Sequence, residues 1–240
     1  MIYKTYKSNG ITFLRATNEV GLSLLFCPIG AAIKSISVDN NELFLTPKSV
    51  QNFLSSDNLL GKTINPLFDN DEIDIRGDKY QLKKNFQISR FYFNAKPLLD
   101  NNYFYIQYSF SKKKMEDGLP GNINYYISYT MSNTKNELLV DYRAISDTYT
   151  PAYISNIFPF LLSDIATKED GKVVLENDDY QIEISSNEYV FEVVNHQLIQ
   201  DDIVKSALLI SPREKGLYYI DKDKQYHRQI IYRFIRKRAW

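Results

Sequence analysis

The sequence is poor in the residues that most often carry catalysis and cross-linking, with one cysteine, two histidines and one tryptophan in 240 residues. A single thiol, Cys27, forms no internal disulfide, so the chain has no oxidative staple and suits a reducing compartment. It lies in the apolar run GLSLLFC, which reads as core and not as a nucleophile's setting. Two histidines and one cysteine give no metal-ligand spacing. There is no G-x-x-x-x-G-K-[ST] or G-x-G-x-x-G stretch and no G-x-S-x-G elbow, so no cofactor is expected. An excess of either charge is also lacking, since Lys+Arg and Asp+Glu both count 29. That excludes the basic face of a general nucleic-acid binder, and the short clusters Lys112, Lys113, Lys114 and Arg236, Lys237, Arg238 read as solvated. No run approaches the length of a membrane span, and the opening MIYKTYKSNGITFLR has no continuous apolar segment of the secretory kind. The expectation is a soluble cytoplasmic protein with neither a nucleic-acid nor a membrane partner.

What the chain has is strand-forming side chains. It contains 19 tyrosines and 14 phenylalanines among many Ile and Val residues, which suit a pleated, half-buried surface. Several segments alternate with period two. Ile123, Tyr125, Ile127, Tyr129 and Met131 form one face of NINYYISYTMS; Leu138, Val140, Tyr142 and Ala144 form one face of NELLVDYRAIS; Phe104, Ile106, Tyr108 and Phe110 do the same just before. Turn signals at Asp39-Asn40-Asn41, Asp117-Gly118, Pro120-Gly121 and Asp170-Gly171 separate such runs. Only VQNFLSSDNLL suggests a short helix. No repeat or linker divides the chain, so one nearly all-β domain over residues 1–240 is expected. So many strands imply two large packed antiparallel sheets, because an open sheet of that size curls or splits. The stretch SNIFPFLL, residues 155–162, breaks the pattern with a proline inside an apolar run, which no ordinary central strand carries.

Four collinear stretches resemble the aldose 1-epimerase (galactose mutarotase) family. They are Gly30-Ala31-Ala32-Ile33-Lys34-Ser35-Ile36; Gly61-Lys62-Thr63-Ile64-Asn65 with Gly77-Asp78-Lys79-Tyr80-Gln81-Leu82 and Asn85; Asp117-Gly118-Leu119-Pro120-Gly121-Asn122 with Tyr129-Thr130 and residues 138–144; and Tyr226-His227-Arg228 with Ile231-Tyr232-Arg233-Phe234. The resemblance implies a β-sandwich of the supersandwich kind that binds a sugar. It also implies a reaction: a Glu takes the proton of the anomeric hydroxyl while a His protonates the ring oxygen, and a second His and an Arg hold the sugar. Each such acid or base is worth about two to four orders of magnitude in rate.

At the matching positions this chain departs from that pattern. Ile157 stands where the acid His follows Asn156; the arginine place reads Asn65-Pro66; the second histidine's place reads Phe86-Gln87-Ile88-Ser89; the late Glu-Pro reads Ser211-Pro212. The chain is short between Leu162 and Tyr180, where the family carries a further Asp. An isoleucine carries no proton, and serine is a poor base without a partner. The expectation is therefore a mutarotase-like carbohydrate-binding protein with weak or absent catalysis. The alternative is an active aldose 1-epimerase or related sugar isomerase with a substitute acid–base set, drawn from His196 with Asp201 or Glu214. His196, in VVNHQLIQDD, is placed in a loop at the sheet rim, where a merely solvated histidine is the commoner outcome. Asn156, Asn65, Lys62 and Arg213 fall at or beside the family's binding positions and are the expected polar contacts. Tyr126 or Phe158 could line the site by stacking, although most aromatics in such strands serve packing. His227, in the last strand, is expected to be structural.

Overall fold

The computed structural model describes residues 1–55, 57–65, 71–200, 203–214 and 216–237. Five antiparallel strands open the chain: β1 (Ile2–Ser8), β2 (Ile11–Thr17), β3 (Leu22–Cys27), β4 (Ala32–Val38) and β5 (Asn41–Glu42) form one sheet in chain order. Asp39 and Asn40 join β4 to β5 with φ of 51° and 66°, the left-handed pair that the hairpin signal there demands. The helix α1 (Val50–Leu54) follows, capped by the Ser49 side chain. Short strands β6 (Thr63–Ile64), β7 (Glu72–Ile75) and β8 (Asp78–Gln81) lead to the long meander β9 (Asn94–Leu99), β10 (Tyr103–Lys112), β11 (Ile123–Ser132) and β12 (Glu137–Ser146). Then come β13 (Thr150–Ala152), β14 (Ser155–Asn156), β15 (Phe158–Phe160), β16 (Asp164–Glu169), β17 (Lys172–Glu176), β18 (Tyr180–Ser185), β19 (Val190–Gln200), β20 (Ile203–Arg213), β21 (Tyr218–Ile220) and β22 (Tyr226–Arg236).

The second large sheet has eight strands in the order β16-β17-β18-β22-β12-β11-β10-β9. The strand β22 enters its middle between β18 and β12. The period-two faces anticipated from sequence turn inward. Ile106, Tyr108, Ile127, Tyr129, Val140, Tyr142, Ile230 and Tyr232 meet Leu14, Leu24, Phe26, Ile33, Ile36 and Val38 of the five-stranded sheet in one buried cluster. One polar tip in that core reaches across it: the Tyr129 hydroxyl donates to the Ala31 carbonyl at 2.6 Å. Cys27 lies on the other face of the first sheet, packed with Phe13, Leu25, Ala32 and Phe53 of α1. Burial pushes its thiol up to about 12, as befits an apolar core residue.

SNIFPFLL is two short strands. β14 pairs β6, and β15 forms the edge of a three-stranded sheet, β15-β20-β19. The Pro159 carbonyl accepts from Leu45 N at 2.9 Å, away from β20. A strand residue directs its N–H and C=O to the same side, so the donor that proline lacks would have faced Leu45 and the β15–β20 ladder loses nothing. Phe158 and Phe160 are fully buried, packed edge-on against Phe44 and tilted against Tyr232. Phe158 is therefore core and lines no cleft.

A candidate sugar cleft with an aliphatic floor

The residues after β6, the β14–β15 junction and the end of β20 converge around a cleft of about 360 Å³. Local chemistry explains the convergence. Gly61 adopts φ of +77°, and its N–H donates to the Ile157 carbonyl at 2.7 Å while its carbonyl accepts from Ile33 N at 2.9 Å. The Pro212 carbonyl, in β20, accepts from Ser155 Oγ at 2.9 Å and from the Tyr153 hydroxyl, which ties β14 to β20. Along β20, Leu208 and Ile210 are buried in the core, so alternation directs Ser211 and Arg213 outward into the cleft. Ile64, Asn65, Tyr153, Ile157 and Glu214 complete the wall that faces them.

Glu214 is the one carboxylate at this cleft among the described residues, and it is heavily engaged. Its Oε1 accepts from the Tyr226 hydroxyl at 2.8 Å and from Arg228 Nε at 2.9 Å, and its Oε2 from Arg228 Nη2 at 3.3 Å. Both side chains of the pair are mostly buried, 14% and 12% exposed. Tyr226 in turn shares a hydrogen bond with the Tyr189 hydroxyl at 2.6 Å, and the Arg228 guanidinium lies over the Tyr218 ring at 4.5 Å. Burial raises the Tyr226 and Tyr153 hydroxyls, so neither is a ready proton donor near neutral pH. Arg213 sits at the rim, 61% exposed, with Nε donating to Glu192 Oε2 at 2.5 Å.

Asn65 also borders a smaller adjoining cavity of about 110 Å³, lined by Gln87, Asp117, Lys83, Lys84 and Tyr125 among others. Its Oδ1 accepts from Ile88 N at 3.0 Å, which holds the segment bearing Gln87 against β6. The Gln87 Oε1 atom is buried with no hydrogen-bond partner among the described residues. A buried carbonyl of that kind costs free energy unless something donates to it.

The structure thus gathers Asn65, Ile157, Ser211, Arg213 and Glu214 around one hollow, and it disperses the other candidates. Asn156 is fully buried; its Oδ1 accepts from Tyr142 at 2.5 Å and its Nδ2 donates to Thr63 Oγ1 and the Tyr129 hydroxyl, both at 3.3 Å. Lys62 is 1% exposed, and its Nζ donates to the Ser55 carbonyl at 2.9 Å beneath the Phe53 ring. These two polar residues knit the core beside the cleft and do not face it. Tyr126 alternates with the buried Tyr125 and Ile127, so it points to the outer face of the eight-stranded sheet, between Ser109 and Arg143 in register. His196 is not in a rim loop: β19 runs regularly through it, opposite Ala207. It lines a separate groove beyond Ile157. Asp201 lies outside the described residues. His227 is not among the residues lining the cleft and bonds Asp141 Oδ2 at 2.7 Å on the sheet's outer face. Sequence reasoning missed Tyr153 and Arg228; the only signal for Arg228 was its place two residues after a core tyrosine.

No protein-family sequence model matches the chain, and no curated protein matches it in sequence. Solved structures do. A galactose 1-epimerase from Lactobacillus acidophilus NCFM superposes over 99% of either chain with a TM-score of 0.82 at 13% identity. An aldose epimerase homologue from C. elegans covers 95% of this chain and 100% of its own with a TM-score of 0.75 at 13% identity. A galactose mutarotase-like protein from Clostridium acetobutylicum covers 98% and 99% with a TM-score of 0.73 at 11% identity. The chain therefore has the galactose mutarotase-like antiparallel β-sandwich fold.

Proposed function

We propose that the cleft between Asn65, Ile157, Ser211 and Glu214 binds a sugar or sugar derivative and supports little or no ring-opening catalysis. The fold is that of proteins named as galactose and aldose epimerases, and the cleft has the size and mixed lining of a small-ligand site. Asn65, Ser211 and Arg213 offer hydroxyl-matching donors and acceptors, and the unpartnered Gln87 carbonyl lies in the adjoining cavity.

The observation that carries the catalytic half of this reading is Ile157. It occupies the cleft floor, and no histidine lines the cleft among the described residues. Ring opening needs an acid whose pKa lies near the working pH, and the one phenol lining the cleft among the described residues, Tyr153, is raised by burial and donates to the Pro212 carbonyl. Glu214 supplies one half of an acid–base pair. That observation favours a second reading, an aldose 1-epimerase or related isomerase using Glu214 as base. The Arg228 guanidinium and the Tyr226 hydroxyl already donate to both of its oxygens, so a substrate hydroxyl would have to compete with them for the carboxylate.

Polarimetry of freshly dissolved α-galactose and α-glucose separates the two. The proposal expects the spontaneous rate, with saturable heat of binding in a parallel calorimetric titration. An acceleration that disappears in Glu214→Gln establishes the second reading instead. Absence of binding to any sugar or sugar phosphate removes both.

A further inference from the structure

The cleft does not end at Ile157. The same side chain also lines a second hollow of about 500 Å³, between the segment following α1 and the outer face of the β19–β20 hairpin. Leu59 and Leu60 form one wall, and Leu198 and Leu209 form the other. Leu209 and Ser211 stand on one face of β20, two residues apart, so one strand serves both hollows. Two polar side chains of the loop wall, Asn58 and Ser55, are engaged with nearby backbone, while Asn52, Asp57 and, from β19, His196 also line the hollow. Asn58 Nδ2 donates to the Phe53 carbonyl at 3.0 Å, its Oδ1 accepts from Leu60 N at 3.2 Å, and Ser55 Oγ accepts from Asp57 N at 3.4 Å. What the groove offers a ligand is therefore chiefly aliphatic surface. No Phe, Tyr or Trp lines it among the described residues, and the imidazole of His196 is the one ring there, so a second pyranose finds no broad platform to stack on. An alkyl chain needs only area.

We infer that the ligand is an amphiphile: a sugar in the polar cleft, linked through its anomeric oxygen to an aliphatic group lying over Ile157 in the groove beyond. This rests on the sugar-binding reading above and gives it a substrate class. It also accounts for the side chain at position 157. A sugar whose anomeric oxygen is alkylated has no anomeric hydroxyl proton to lose and does not ring-open to the aldehyde, so it calls for no acid and base; an aliphatic floor joining two hollows is what it does need.

The test is calorimetric titration with methyl, butyl and hexyl β-galactosides and β-glucosides, each below its micelle concentration, and with hexanol alone. Affinity is expected to rise with chain length by up to about fourfold per methylene. Leu209→Asp and, independently, the loop variant Leu59→Asp are expected to lose that gain and to keep the methyl glycoside affinity, with native circular dichroism as the folding control. Equal affinity for methyl and hexyl glycosides overturns the inference and leaves the sugar site standing. So does hexanol binding as tightly as the hexyl glycoside, or a chain-length gain that survives both variants. If the methyl glycosides fail to bind at all, the sugar reading itself falls, and the amphiphile with it.

Discussion

A polar residue beside a binding site and a polar residue in it look alike in sequence, and Lys62 and Asn156 show the difference burial makes. Asn156 engages three hydroxyls at once, so its amide is spent inside the core and not on a ligand. Lys62 carries a measurable consequence. Burial depresses its amine to about 8, while the unfolded chain's lysines titrate near 10.4. Between those values the unfolded state binds the extra proton, so stability rises with pH through that window and the cost of charging Lys62 is fully present below it. Denaturant melts at pH 7, 8, 8.5 and 9 stay about a unit below the tyrosine pKa of about 10. They should show wild-type stability gaining roughly 1 kcal/mol from Lys62 over that span. Lys62→Met is expected to be more stable than wild type at pH 7 and to lack that share of the rise. Parallel pH profiles for the two proteins would contradict the assignment.

At the scale of elements, period-two alternation made the strands of the two large sheets legible, because each buries one face and the side-chain pattern records it. The β19–β20 hairpin was read less well. Both of its strands are eleven residues long, and Asn195, His196 and Gln197 interrupt the apolar pattern where the outer face meets solvent, so alternation alone stops before His196 although β19 continues through it. The cleft depends on an element too short to be a signal of its own, the turn at Gly61. A Cβ there would lie 2.1 Å from the Ile33 carbonyl, and φ is already in the left-handed region. Gly61→Ala is expected to cost about 1–3 kcal/mol or more and, by moving the Gly61–Ile157 hydrogen bond, to weaken sugar binding beyond what the stability loss explains. Thermal melts and calorimetry on the variant check both; unchanged melting would mean the turn is free to rearrange.

Across the whole molecule, the fold was legible while the site was legible only through resemblance. Composition and alternation pointed to packed antiparallel sheets, and the structure bears this out. The convergence of Asn65, Ile157, Ser211 and Arg213 depends on contacts far apart in sequence, which alternation does not encode. Glu214 lies just past the end of β20, where alternation no longer sets side-chain direction, yet it lines the same cleft as Ser211 three residues earlier. The single thiol reports on global integrity. Cys27 is fully buried with its ionisation pushed up to about 12, so alkylation by iodoacetamide at pH 8 should proceed only through unfolding and follow the same denaturant dependence as the global transition. Rapid labelling under native conditions would show that the α1 side of the first sheet opens by itself.

The central claim is a sugar cleft whose floor is Ile157 and whose ring-opening chemistry is gone. Proton exchange spectroscopy on an equilibrated mixture of α- and β-galactose with the protein reads both halves in one experiment. The account predicts saturable broadening of the anomeric signals and no exchange cross-peak between them beyond the protein-free control. A strong α–β cross-peak that grows with protein concentration would contradict it.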